Sequence, residues 1–298
     1  MAPNENGASA PGGFVQPNRW QGIGSTLGSA YPFNLFDRQS VRRFRERAAR
    51  HWGESDFLVA DVAERLADRL DDIQRKFPVA LDLGCRGGVL ARLLNGRGGI
   101  ESLVQMDPAY GFARRAPLPR VVAEAEMLPF KPASFDLILS VLDLHHTNDL
   151  PGALVQIRHA LKADGLLLAT LFAGETLTGL RRAWMEAELV EQGGAGSRVS
   201  PFADPRDLGA LLQRAGFAAP VIDSDAIEVS YDSSLKLMRD LRAMGEGNAL
   251  VERPRNFTRR ATMLRAVEFY DATADANGRI TARFEVVTLT AWAPLVTR

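Results

Sequence analysis

The sequence has a single cysteine, Cys85, among 298 residues. That excludes a disulfide framework, and a cysteine-ligated zinc site would need more thiols than the chain owns. Histidine is scarce as well, with four in all, so an imidazole near a catalytic edge stands out. No sign of charge is in excess, because 36 basic and 36 acidic side chains cancel. A protein that binds nucleic acid by neutralising phosphates carries surplus positive charge, so no nucleic-acid partner is expected. No apolar run approaches the roughly 20 residues that span a bilayer. A transmembrane segment is therefore not expected, although peripheral association with a membrane stays open. The opening stretch "MAPNENGASAPGGF" lacks a basic region followed by an apolar core, and it carries Glu5 with no arginine before Arg19. It reads as neither a secretory signal nor a transit peptide, and the expected location is cytoplasmic.

What is present is ordinary globular material, 46% hydrophobic and 24% charged. Residues 1–31 are rich in Gly, Pro, Asn and Ser without periodicity and read as a disordered tail. Residues 32–298 read as one domain. From Phe36 to Phe77 the pattern is helical, with Phe57, Val62, Leu66, Leu70 and Ile73 recurring at helical spacing. The run of arginines between Arg42 and Arg50 reads as a solvated face. Strands and helices then alternate: "VALDLG", "IESLVQMD", a short strand in "RVVAEAEMLPF", "FDLILSVL" and "LLLATLF" are apolar runs separated by helical stretches. Nearly continuous apolar strands between helices predict a mostly parallel sheet covered on both faces. Ligands bind such sheets at the carboxyl ends of the strands, where the strand order reverses. Helical insertions near 174–200 and 232–270 are expected to cap that edge.

The chemistry concentrates in four places. Asp82-Leu83-Gly84-Cys85-Arg86-Gly87-Gly88 follows the first strand. Glycines there allow a tight turn and a close approach of backbone to ligand, and the helix that follows offers free N–H groups. The dinucleotide pattern G-x-G-x-x-G is not met, since position 86 is arginine. Asp107 closes the second strand, where an acid can accept hydrogen bonds from two ribose hydroxyls. "AEAEMLPF" and "SFDLILSVLDLHHTNDLPGALVQI" supply the third and fourth places.

In this order and spacing the four stretches resemble those of the class I S-adenosylmethionine-dependent methyltransferases. The resemblance implies a Rossmann-like fold with a seven-stranded, mostly parallel sheet, and S-adenosyl-L-methionine as the cofactor. It assigns cofactor contacts to Asp82, Gly84, Cys85, Arg86, Gly88, Asp107, Glu124, Ala125 and Ser140. Glu124 takes the place of an aspartate that meets the adenine amino group. Arg86 stands where that motif has glycine, and its side chain is expected to point away from the pocket or toward the carboxylate of the methionyl group. Asp143, His145 and His146 fall at the catalytic edge, where a histidine can serve as general base. A metal triad of Asp143, His145 and His146 is set aside, because adjacent residues of an extended segment point in opposite directions. No metal is assigned.

Further stretches, "NLFDRQSVRRFRERAA", "SPFADPRDLGALLQRAGF" and "LMRDLRAMGEGNA" among them, are similar to a narrower family. It comprises the mitochondrial complex I assembly factor with a methyltransferase fold and its bacterial relatives. A more distant likeness is to the malonyl carrier-protein methyltransferases of biotin synthesis. This likeness implies a methyltransferase of undetermined acceptor acting in respiratory complex I assembly, with a complex I subunit as its protein substrate. It leaves two alternatives: an arginine hydroxylase of a complex I subunit built on the same fold, and a non-catalytic assembly chaperone.

Overall fold

The structure is a computed structural model that describes residues 34–53 and 55–295. The segment read as a tail, 1–31, lies outside them. Residues from Asn34 onward form one compact unit.

Among the described residues seven strands form one sheet in the order β3-β2-β1-β4-β5-β7-β6. They are β1 (Val79–Leu83), β2 (Ser102–Asp107), β3 (Arg120–Val122), β4 (Phe135–Val141), β5 (Leu161–Ala173), β6 (Ala218–Tyr231) and β7 (Ile280–Trp292). Neighbours from β3 to β5 pair in parallel, and β7 runs antiparallel to both β5 and β6. This is the mostly parallel α/β sheet expected from the apolar runs. Alternation within a strand divides the core: Ala80 faces one buried cluster, while Leu81 and Leu83 face another on the opposite side of the sheet.

Helices cover both faces. In α2 (Phe57–Asp71) the buried residues Leu58, Val62, Leu66 and Leu70 recur every four positions. α5 (Leu150–Ala160) starts where sequence chemistry requires: Pro151 occupies its first turn and the Asp149 side chain accepts from Gly152 N–H at 2.9 Å. α7 (Pro205–Arg214) repeats that start with Pro205 and Asp204. The remaining helices are α1 (Arg38–Ala48), α3 (Val89–Leu94), α4 (Tyr110–Ala113), α6 (Thr178–Gln192), α8 (Ser234–Met244) and α9 (Arg260–Asp271). α6 lies within 174–200, and α8 and α9 lie within or at the edge of 232–270, the windows expected to hold inserted helices.

The order of strands reverses between β1 and β4. The crevice for a ligand is therefore the gap between their carboxyl ends, bordered by the glycine loop after Leu83 and by the chain that leaves Val141. α1 lies across it. Its start is stitched down by Asn148, whose side chain accepts from Phe36 N–H at 2.7 Å and donates to Phe36 C=O at 3.0 Å. Asp37 caps α1 by accepting from Ser40 N–H at 3.2 Å. Among the described residues no helix is long and apolar enough to cross a membrane.

Candidate active site

The glycine loop is a run of left-handed residues. Gly84, Arg86, Gly87 and Gly88 have φ of 78°, 42°, 75° and 79°. Gly84 cannot be otherwise, because a Cβ there would overlap the Asp143 side chain. Arginine in the left-handed region is strained, and such strain persists only where surrounding contacts hold it. The contacts are plain. Arg86 is 1% exposed, and its guanidinium donates to Met244 C=O at 2.8 Å, to Leu142 C=O at 2.7 Å and to Glu246 at 2.7 Å. It also lies over the Trp52 ring, 5.9 Å from the centroid. The side chain runs from the glycine loop to Leu142, Met244, Glu246 and the Trp52 ring, the four groups that receive it, and it lines neither of the two cavities described below.

Asp107 ends β2 with no exposure. Its carboxyl accepts from Arg86 N–H at 3.1 Å and from Ala109 N–H at 2.8 Å, so it fixes the glycine loop from beneath. Burial pushes it up to about 6. Asp82 is buried with one carboxyl oxygen unpartnered, and burial together with the Asp107 charge raises it well above the usual range. Ser140 near the end of β4 is likewise buried with an unpartnered hydroxyl. The Cys85 thiol is buried and raised by burial and by the nearby Asp107, which makes it inert as a nucleophile. Gly88 opens α3.

Beyond Asp107 a narrow cavity of about 50 Å³ is lined by Pro108, Glu124, Ala125, Asp143 and His146 and is roofed by Arg38 and Arg45 of α1. Arg38 pairs with Glu124, and Arg45 pairs with Asp143. Arg45 and Asp143 are both almost fully buried. Burial opposes the charge on Asp143, but the Arg45 guanidinium outweighs it and holds the carboxyl below its usual value. This corrects one expectation: the arginine run of α1 is not uniformly a solvated face. Asp143 lines the cavity while it pairs with Arg45 and packs on Gly84.

His145 and His146 occupy a 3-10 turn, Leu144–His146, not an extended segment. Their rings therefore lie on the same side, with centroids 4.4 Å apart. The third member of their group comes from elsewhere: Glu246, just past α8, lies 3.0 Å from His145 Nε2 and 3.7 Å from His146 Nδ1. Burial opposes the charge on Glu246 and the facing imidazoles and Arg86 reverse that, so its carboxyl sits well below the usual range. Burial pushes the His146 imidazolium down to about 3, leaving a neutral ring at physiological pH. Phe36 packs edge-on against that ring at 5.2 Å.

His146 also lines a second, larger cavity of about 360 Å³. Phe172, Phe284, Trp184, Leu241 and Phe202 give it an apolar lining, and Arg198, Arg242, Arg253 and Glu246 its charged groups. Arg198 is neutralised by the buried Glu188, and Arg253 by Asp37. Sequence reasoning missed Arg45 and Glu246. Glu246 lay in the quoted stretch "LMRDLRAMGEGNA", but nothing local marked it as facing His145.

Comparison with known proteins agrees with this layout. Residues 81–169 match the Methyltransferase domain family. Human mitochondrial arginine-hydroxylase NDUFAF5 is 40% identical over 278 residues, covering 90% of this chain and 80% of its own. The malonyl-[acyl-carrier protein] O-methyltransferase of Xylella fastidiosa is 34% identical, covering 87% and 89%. The chain belongs to the class I S-adenosylmethionine-dependent methyltransferases. Its fold is shared with the crystal structure of YcgJ from Bacillus subtilis, at a TM-score of 0.54 and 14% identity over 77% of this chain and 97% of that one.

The donor set suits the methyltransferase cofactor. An acid stands at the end of β2, the glycine cradle at Gly84 has no room for a Cβ, and the unpartnered oxygens of Asp82 and Ser140 lie at the crevice. The cavity beside Asp107 is bordered by the partly exposed Arg38–Glu124 pair, and such pairs contribute only about 0–1 kcal/mol.

Proposed function

We propose that the protein transfers the methyl group of S-adenosylmethionine to an acceptor held in the cavity beneath α6 and α8. The observation that carries this reading is His146, which lines both the cavity beside Asp107 and the larger one. Donor and acceptor compartments thus meet at one side chain. The cofactor, when bound, supplies an electrophilic methyl on a sulfonium. Asp107 would hold the ribose hydroxyls, Glu124 and Ala125 would flank the adenine, and the backbone of the Gly84 loop would carry the methionyl end. His146 stays neutral and is a weak base, so its contribution is to orient the acceptor. Catalysis then rests chiefly on placing nucleophile and methyl in line. Arg242, the one guanidinium of the larger cavity without an ion pair among the described residues, would favour an acceptor that carries an anionic group. The single buried thiol suits a reducing, cytoplasmic setting, and a respiratory complex I subunit is the acceptor we favour.

A second reading is hydroxylation of an arginine side chain on such a subunit, the activity in the name of the 40% identical human relative. The cluster of two imidazoles and a carboxylate favours it. Calorimetry with S-adenosylmethionine and S-adenosylhomocysteine tests the first reading: binding is expected, and Asp107→Ala is expected to abolish it. If neither compound binds the wild-type chain, methyl transfer is ruled out. Mass spectrometry of complex I subunits from a deletion strain separates the two reactions. A lost mark of about 14 mass units reports methylation, and one of about 16 reports hydroxylation.

A further inference from the structure

His145, His146 and Glu246 each offer one ligand atom, and the three atoms lie within 4.8 Å of one another. A hydrogen bond between His145 Nε2 and Glu246 Oε2 at 3.0 Å accounts for only one ring. His146 Nδ1 is 3.7 Å from the same oxygen, beyond hydrogen-bond reach, and is buried with no partner among the described residues. The side chains are 1%, 7% and 10% exposed. Leaving a buried ring nitrogen unpaired is destabilising, so an arrangement that aims it at a carboxylate needs a reason.

We propose that His145, His146 and Glu246 form a binding site for a divalent first-row transition ion, open to the 360 Å³ cavity that His146 and Glu246 line. Two imidazoles and one carboxylate on one side of an ion, with the remaining positions free for water or substrate, suit Fe(II) or Zn(II). Ligands at ~2.0–2.2 Å from an ion lie about 3 Å apart when adjacent. The His145–Glu246 pair already has that spacing, and His146 Nδ1 is 3.7 Å from the same carboxylate oxygen. Arg86 holds the other Glu246 oxygen at 2.7 Å, which leaves Oε2 to face the two rings and fixes the carboxylate from behind. The positive charges of Arg45 and Arg86 beside the site are balanced by Asp143 and Glu246. The adjacent histidines can act together because the 3-10 turn brings their rings to one side.

The site stands whichever of the two reactions the protein performs, and its test reads metal directly. The full chain is stripped with a chelator, dialysed, and titrated with Co(II) in air and with Fe(II) under anaerobic conditions. Metal content is measured after gel filtration. One ion per chain is expected, with a visible Co(II) absorption band. His146→Gln is expected to weaken binding at least tenfold while circular dichroism melting stays within a few degrees of wild type. Glu246→Gln is expected to weaken binding as much, but it also removes the charge facing the buried Arg86 and lowers the melting temperature, so His146→Gln is the deciding variant. Wild type that retains neither metal, or variants that retain it with unchanged affinity, would overturn the proposal. S-adenosylhomocysteine titrated into the same samples keeps a failure of methyl transfer distinct from a failure of this site.

Discussion

Asp143→Asn puts the buried charge pair to a decisive test. Arg45 and Asp143 are 3% and 8% exposed at the side chain, so replacing the carboxylate strands a guanidinium in the interior. Breaking a buried pair in this way costs about 3–5 kcal/mol. In a chain of this size each kcal/mol moves the melting temperature by about 2–4 °C, so a fall on the order of 10 °C is expected. Replacing both partners by apolar side chains, as Arg45→Met with Asp143→Leu, removes the stranded charge and should restore most of the loss. Urea unfolding of the wild type, of Arg45→Met and Asp143→Leu singly, and of the double variant supplies the coupling energy. The reasoning is refuted if Asp143→Asn costs less than about 1 kcal/mol, or if the double variant is less stable than the sum of the singles. In either case Asp143 would not be a charge clamp, and a direct role toward substrate would have to be reconsidered.

Three further outcomes are expected. Gly84→Ala should cost clearly more than Gly96→Ala: both have left-handed φ, worth about 1–2 kcal/mol, but only at Gly84 would the new Cβ strike a side chain, that of Asp143. Equal melting shifts would show that the loop can yield. Asp37→Ala should lose the cap of α1, about 1 kcal/mol, and with it the pairing to Arg253. Hydrogen bonds from Ser40 and Arg253 lower the Asp37 carboxyl to about 2, so this stabilisation is present above its unfolded value near pH 4 and disappears as the pH falls through 2; urea midpoints across that range check it. Asp107 behaves in the opposite sense. Raised to about 6 by burial, it binds a proton more readily folded than unfolded, so stability falls between about pH 4 and pH 6 by up to roughly 3 kcal/mol. Asp107→Asn should flatten that slope, and an unchanged slope would mean another group titrates there.

The sheet was legible because its signals are local. Val79–Leu83 is a short apolar run closed by Asp82 and the glycines, Pro151 and Asp149 mark a helix start, and Asp107 ends a strand; each follows from a few neighbouring residues. The site was legible only where it follows strand ends: Gly84, Asp107, Ser140 and His145 are where the alternation of strand and helix places them. What stayed hidden depends on distant pairing. Arg45 was one arginine among several, and only the fold brings it to Asp143, 98 residues away. Glu246 meets His145 across 101 residues. The adjacent histidines were read as diverging because the chain after β4 was taken as extended, whereas a tight turn follows it.

Arg86 ties these facts together. Glycine at position 86 would relieve the left-handed strain, yet it could not reach Leu142, Met244 and Glu246. The arginine therefore braces the glycine loop against the end of β4 and against the segment after α8. Through Glu246 that brace joins the crevice beside β1 to the two histidines of the larger cavity. Those three contacts are a physical reason for arginine to stand where the loop geometry alone would call for glycine.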